Sequence, residues 1–541
     1  MQLRMWMYDL AREQAPTDAH LAQIARMTEA AGYNALGLYL EHRFAYPSIP
    51  WAHGTGCMTP EMARRLQDSF PNLKIIPFIN LCGHFEGMIY TEEGKQYREE
   101  MFAGLQADPS NPAFVSLCER LIDDTLAAFD SDIIHIGGDE TFQLGACSSC
   151  KARVEAWERG ENVPQAYRHH ATVEASQDGA LYGSDAGVQA GKIDGKAILY
   201  GTHFGPLAER VKRAGRRPAV WGDMFLQHPG ALGFMPTDTL MFDWQYFKGV
   251  SETAPTFQSL GFEVVGSPAI QTYNATWCHM DASESNIRQV AEDVEALGLY
   301  GVCITTWECG LFGAYDTLFP ALAAAGAVLQ NPDHDPDFFA AYDDVSARHG
   351  AWARLMARGL GELGGTFTPG RIRSSLKVRL MLNANPFLAW MHHGEEYSGP
   401  VGDAALALFE QALFQAPTDA EQGVTLFARG GVEFVRLAEQ ARQLYAAGQS
   451  EAAIGKLGIT RKIFDDLANV AKRTHDRIGG SLADIERCRV AKAHVETVMQ
   501  RIRTYGDGSL GYLPAFEILT HPKFMPHDQA SWWLINKWAH Q

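Results

Sequence analysis

The sequence predicts an α/β chain, a (β/α)8 TIM barrel followed by an α-helical C-terminal domain. Short β-branched or aromatic runs alternate with amphipathic helical stretches over the first 320 residues or so, the signature of a parallel sheet covered by helices. Eight such runs suggest closure into a barrel. After Gln330-Asn331-Pro332-Asp333-His334-Asp335-Pro336, a breaker-rich stretch, the pattern turns to helix upon helix. The expected division is therefore residues 1–330 for the barrel and 336–541 for the helical domain.

The expected strands are Leu3–Tyr8, Ala35–Leu40, Lys74–Ile79, Ile133–Ile136, Pro218–Trp221, Thr239–Phe242, Glu263–Val265 and Val302–Thr305. Continuous apolar runs such as Ile133, Ile134 and Ile136 suit strands buried on both faces. Helices such as Asp18–Ala31 and Pro206–Ala214 fall between them. A stretch near 155–196, rich in Gly, Ser, Ala and Asp, reads as an insertion after the fourth strand, either a lid or solvated decoration. In the C-terminal part, Phe434, Leu437, Ala441 and Leu444 keep one helical face, and Ser481 with Asp484 resembles a helix cap. This part holds no acid cluster or phosphate loop, so its expected role is packing on the barrel or forming a homodimer. Trp532, Trp533 and Trp538 read as core or interface.

Composition narrows the function class. The 541 residues are 46% hydrophobic and 11% aromatic, enough for a large core, and the net charge is −18 with no basic run. No nucleic-acid or anionic-membrane partner is expected, while a neutral ligand is compatible. No apolar run approaches the roughly 18 residues of a spanning helix, and Met1-Gln2-Leu3-Arg4 gives no secretory leader, so the expectation is cytoplasmic. Prior removal of a leader would leave the same sequence. The nine cysteines are expected to be mostly reduced thiols. Cys147-Ser148-Ser149-Cys150 is the sole CxxC, and a zinc there would need distant ligands such as Cys57, Cys82 or Cys309. It reads as two thiols in a loop, with no metal and no cofactor expected.

In a (β/α)8 barrel, functional residues gather at the C-terminal strand ends. Those ends here are polar or aromatic: Asp9-Leu10-Ala11-Arg12, Glu41-His42-Arg43, Gly83-His84, Asp139-Glu140, Trp221-Gly222-Asp223, Asp243-Trp244, Tyr273 and Trp307-Glu308. Asp139 and Glu140 stand out, because burying two like charges side by side is costly unless they are paired or one keeps its proton. A blander account has Asp139 capping a helix and Glu140 solvated. The convergence of several polar strand ends favours chemistry.

His135-Ile136-Gly137-Gly138-Asp139-Glu140 resembles the His-x-Gly-Gly-Asp-Glu signature of glycoside hydrolase family 20, the β-N-acetylhexosaminidases. Arg4-Met5-Trp6-Met7-Tyr8-Asp9-Leu10-Ala11-Arg12 is similar to that family's first strand, whose leading arginine binds ring hydroxyls, which assigns that role to Arg4. Gly83-His84 matches a third-strand Gly-His, and Trp221, Trp244 and Trp307 match tryptophans around the N-acetyl group. Leu38-Tyr39-Leu40-Glu41 and Trp221-Gly222-Asp223-Met224 look most like a bacterial branch with a helical C-terminal domain. The resemblance implies a retaining exo-β-N-acetylhexosaminidase acting on an amino-sugar glycan, releasing terminal GlcNAc or GalNAc. It implies that Asp139 orients the substrate's acetamido group as the nucleophile and that Glu140 is the general acid and base. Adjacent carboxylates suit this better than the flanking pairs, about 5–5.5 or 6.5–9.5 Å apart, of ordinary glycosidases. By the same resemblance Tyr273 is a donor to the acetamido oxygen, and Glu308 is expected to be substrate-binding, one residue before the position from which the family's gluco-specific acid binds O4.

The chain departs from the family pattern at His42, where the family has an Asp that supports the third-strand histidine, so that here the support comes from Glu41, one residue earlier, or is lost, and at Tyr273-Asn274-Ala275 in place of Tyr-x-Asp. Cys309 replaces an acid associated with gluco sugars, which opens a preference for the galacto epimer. The alternatives from other classes are a sugar-binding barrel without turnover and a metal enzyme using Cys147 and Cys150.

Overall fold

The computed structural model describes residues 1–11, 15–54, 56–100, 106–141, 143–168, 192–272, 277–307, 315–331, 340–363, 399–478 and 483–506. Eight parallel strands close into a barrel in sequence order. They are β1 (Leu3–Asp9), β2 (Ala35–Tyr39), β3 (Lys74–Phe78), β4 (Ile133–His135), β5 (Arg217–Trp221), β6 (Leu240–Trp244), β7 (Glu263–Ser267) and β8 (Gly301–Thr306). β8 pairs back onto β1 from Leu3↔Gly301 to Tyr8↔Thr306, which removes both sheet edges. Each observed strand lies within two residues of its expected ends.

The period of two along each strand sorts side chains into two cores. Leu3, Met5 and Met7 of β1 join Ile76, Phe78, Ile133, Ala219, Trp221, Phe242, Trp244 and Cys303 inside the barrel. Trp6 and Tyr8 face outward into the core shared with the covering helices, including Asp18–Ala30, Pro112–Ala128 and Met280–Leu297. The interior centre is aromatic: Phe78 stacks on His135 at 4.2 Å, and Trp221 lies 4.5 Å from the same imidazole. That layer floors the C-terminal mouth.

The helix before β5 corrects the expectation that it starts at Pro206. It runs Gly195–Arg213 with Pro206 inside. Asp194 caps it by accepting from Ala197 N–H, and Ile198, Leu199, Tyr200 and Phe204 are buried. Packing of that apolar face outweighs the backbone hydrogen bond lost at proline. After Phe319–Gln330 the structure is helical: Ala340–Glu362, Pro400–Gln415, Asp419–Ala446, Ser450–Ile478 and Ala483–Tyr505. Thr418 and Glu421 form a capping box at the Asp419 helix, where Phe434 and Ala441 are buried and Leu437 and Leu444 pack on the same core. Trp352 ties this region to the barrel by packing edge-on against Trp277 at 4.9 Å. No helix among the described residues is long and apolar enough to cross a membrane. Ser481 and the three C-terminal tryptophans lie outside the described residues.

Candidate active site

The site is built from the backbone after β4. Gly137 and Gly138 have φ of +76° and +106°. A Cβ on Gly137 would lie 2.0 Å from Asn80 Oδ1, and one on Gly138 2.4 Å from the Tyr200 hydroxyl, so only glycine fits this passage. Tyr200 donates to Gly138 O at 2.6 Å and holds the turn in place. Gly83, just past β3, approaches as closely, since its Cβ would meet Asp139 O at 2.3 Å. Two strand ends are thereby pressed together, and His84 meets the acid pair.

His84 Nε2 lies 3.0 Å from Glu140 Oε2 and 3.5 Å from Asp139 Oδ2, while Nδ1 is 4.0 Å from Glu86 Oε1. Asp223, at the end of β5, accepts the Glu140 backbone N–H at 2.9 Å and the Trp244 indole N–H at 3.2 Å. Glu41, His84 and Glu140 all have left-handed φ, three of the four such non-glycine residues among those described. Each costs roughly 1–3 kcal/mol, a concentration of backbone strain that points to function.

The charges are as constrained as the backbone. Burial alone would discharge His84, but the charge of Asp139, the hydrogen bond and charge of Glu140, and the charge of Glu86 push it up to about 10. Burial pushes Asp139 up to about 6 against the pull of His84, with Glu140 and Glu41 adding to the rise. Asp223 is held well above the usual carboxylate range by burial and by the charges of Asp139 and Glu140. Asp139 and Asp223 therefore titrate as interacting groups rather than independently. Asp139 Oδ1 is buried and has no hydrogen-bond partner among the described residues, nor does Trp221 Nε1.

Aromatic rings wall the mouth. Trp221 is fully buried, 5.9 Å from Trp307. Trp244 stacks on Tyr246 at 4.9 Å, and Trp307 donates to the Tyr246 hydroxyl at 2.6 Å while standing edge-on to Tyr39 at 4.8 Å. The three tryptophans thus form one wall, joined to the acids through Asp223.

The structure brings together Asp139, Glu140, His84, Trp221, Trp244 and Trp307, but not Arg4. Arg4 is the second residue of β1, facing away from the interior at the opposite end of the barrel. Its Nε donates to Gly32 O at 3.2 Å, and its backbone N–H to Asn34 Oδ1. The period of two explains the correction: with Met5 and Met7 inside, Arg4 points outward. Asp9 is the member of that motif at the C-terminal end. Arg12, Tyr273, Glu308 and Cys309 lie outside the described residues. His42 packs over Gly87, and Glu86 rather than Glu41 faces His84 Nδ1. Sequence reasoning passed over Asp223, Glu86 and Tyr246 as site residues. Asp223 and Tyr246 were within reach, the first in a polar strand end and the second two residues beyond Trp244.

Residues 71–300 match the family model for the catalytic domain of glycosyl hydrolase family 20. No curated protein matches the chain. Solved structures similar to it include a β-N-acetylhexosaminidase from Bacteroides fragilis, 14% identical, covering 65% of this chain and 70% of that one, with a TM-score of 0.44. An exo-β-N-acetylglucosaminidase from Vibrio harveyi is also 14% identical, over 66% of this chain, with a TM-score of 0.45; this chain spans 58% of its length. A chitobiase from Flavobacterium johnsoniae is 14% identical over 91% of this chain and 78% of that one, with a TM-score of 0.48.

Proposed function

For a glycoside hydrolase with a family 20 catalytic domain, we propose that the reaction is retaining exo-hydrolysis of terminal β-linked N-acetylhexosamine, assisted by the substrate's own acetamido group. The carrying observation is the split use of Asp139: Oδ2 faces His84, while buried Oδ1 has no hydrogen-bond partner among the described residues. An acetamido N–H is a donor of the right kind for that oxygen, and an apolar indole wall suits the methyl beside it.

In this reading the acetamido oxygen attacks the anomeric carbon as the glycosidic C–O bond breaks. Glu140 gives its proton to the leaving oxygen. The charge that develops on the oxazolinium ring is stabilised by Asp139. Water then loses a proton to Glu140 and attacks the anomeric carbon from the face the leaving group vacated, reopening the acetamido group with net retention. His84 and Asp223 are positioning residues, one at the Glu140 carboxyl and one at its backbone. Tyr273 would donate to the acetamido oxygen and Glu308 would sit near O4. Cys309, in place of a gluco-specific acid, extends the proposal to a preference for GalNAc. Arg4 has no part in it.

The test is a panel of p-nitrophenyl β-glycosides of GlcNAc, GalNAc, glucose and galactose, with a thiazoline analogue of the cyclic intermediate as inhibitor. Turnover of the two acetamido sugars alone, with tight thiazoline inhibition, is expected. Equal turnover of the sugars lacking the acetamido group would overturn substrate assistance. Binding of both amino sugars without turnover would favour the non-catalytic barrel.

A further inference from the structure

The loops after β3 and β4 meet a second time away from the sugar pocket. Glu99 and Asp108 come from the first loop, Cys147 from the end of the second and Cys150, expected in a loop, from the first turn of the helix Ser148–Glu158 that follows it, and one ligand atom from each lies within 4.8 Å of all the others. Cys150 Sγ is 3.0 Å from Asp108 Oδ1 and 3.4 Å from Glu99 Oε2, and Cys147 Sγ is 3.6 Å from Asp108 Oδ2. A tetrahedral zinc with Zn–S of about 2.3 Å and Zn–O of about 2.0–2.2 Å needs ligand-to-ligand edges of roughly 3.3–3.8 Å. The cluster is already near that size.

We propose that Glu99, Asp108, Cys147 and Cys150 form a structural zinc site that staples these two loops together. Four protein ligands leave no open position, as expected of a structural rather than a catalytic site, and two soft thiolates select zinc over magnesium or calcium. On binding, the two thiol protons leave to solvent. The thiolates and carboxylates then over-neutralise the ion, and backbone donors offset the excess. Cys147 N–H donates to Glu99 Oε1 at 3.1 Å, Ser110 N–H to Asp108 Oδ1 at 2.7 Å and Cys150 N–H to Cys147 Sγ at 3.3 Å. Cys147 also caps the helix Ser148–Glu158, whose N-terminus favours negative charge. Among the described residues no Lys or Arg pairs with buried Glu99 or half-buried Asp108, so a bound cation would displace no ion pair there. The distant thiols are otherwise engaged: Cys57 with His42 O and Cys82 with Ala107 O.

The staple bears on catalysis through position alone. Ala107 N–H donates to Cys82 O at 3.0 Å, two residues before His84, and Gln143 N–H to Gln106 Oε1 at 3.0 Å, three residues after Glu140. Fixing the two loops to each other keeps His84 and Glu140 in register.

Elemental analysis of the full chain, purified under reducing conditions and dialysed with zinc chloride, tests this without any assay of activity. About one zinc per chain is expected. Cobalt substitution should give thiolate charge-transfer and tetrahedral d–d absorption. Cys147→Ser/Cys150→Ser should bind no zinc, and Asp108→Asn, which keeps both thiols if the double variant fails to fold, should bind it at least tenfold more weakly. Cys57→Ser should bind like the parent. The proposal is overturned if the parent takes up no stoichiometric zinc, if the double variant binds as much as the parent, or if the freshly purified parent holds a Cys147–Cys150 disulfide.

Discussion

The two ends of the barrel handle charge in opposite ways. At the N-terminal end, charges meet opposite charges in contact with water: Lys74 Nζ lies 2.7 Å from Asp132 Oδ2, and Arg217 Nη2 lies 2.5 Å from Glu263 Oε2. Such pairs contribute little, and their polar atoms are satisfied. At the C-terminal end Asp139, Glu140 and Asp223 crowd around one another with His84 as the cationic partner, the backbone strained at His84 and Glu140 and one Asp139 oxygen without a hydrogen-bond partner among the described residues. The difference teaches where stability has been given up. One end is arranged for folding, and the other is held together by it.

The largest effect expected is on Glu140→Gln, which should lose ~10²–10⁴ in kcat/KM on substrates with poor leaving groups and much less on p-nitrophenyl substrates. Equal losses on both would remove the acid role. Asp139→Asn should cost ~10²–10³ in kcat on every acetamido substrate and abolish thiazoline inhibition, as expected when the group opposite a developing charge is removed. Retained inhibition would sever Asp139 from the acetamido group.

The pH profile sharpens the contrast next. Asp139 must be ionised to act, so activity should rise with pH through about 6. Glu41→Gln removes one charge that raises Asp139, so this limb should move to lower pH; no movement would separate the limb from Asp139. His84 is raised in the fold, to about 10 from a reference of about 6.5. Its contribution to stability is therefore complete below pH about 6.5 and disappears as the pH rises towards about 10. Thermal melts across that range should show the loss in the parent and a flatter curve in His84→Asn.

The smallest effect belongs to the other end. Arg4→Lys should leave kcat and KM unchanged and cost at most the ~0.5–1.5 kcal/mol of a hydrogen bond, read from denaturant unfolding. A large kinetic loss would mean that the two ends are not independent.

Much of this was legible in the linear chain. Short β-like runs alternating with helical periodicity marked all eight strands, and the glycine-acid sequence after β4 marked the acid pair around which the candidate site is built. Arg4 was misread because a motif aligned by residue type carries no face, and one step of strand parity turns an interior residue outward. Glu86 carried no signal of its own, since a solvated acid beside a histidine is commonplace. The Cys147 and Cys150 pair was readable as CxxC, but Glu99 and Asp108 are about 40–50 positions earlier, and no spacing rule connects them.

By itself, then, the sequence determined the barrel, its helical continuation and the identity of the acid pair, because these rest on periodicities and on neighbours along the chain. Only the tertiary structure decided which side chains share a pocket, that Asp223 holds the Glu140 backbone, that Arg4 faces the far end, and that four ligand atoms converge between two loops. Those facts depend on distances between strand ends far apart in sequence, which exist only once the barrel has closed.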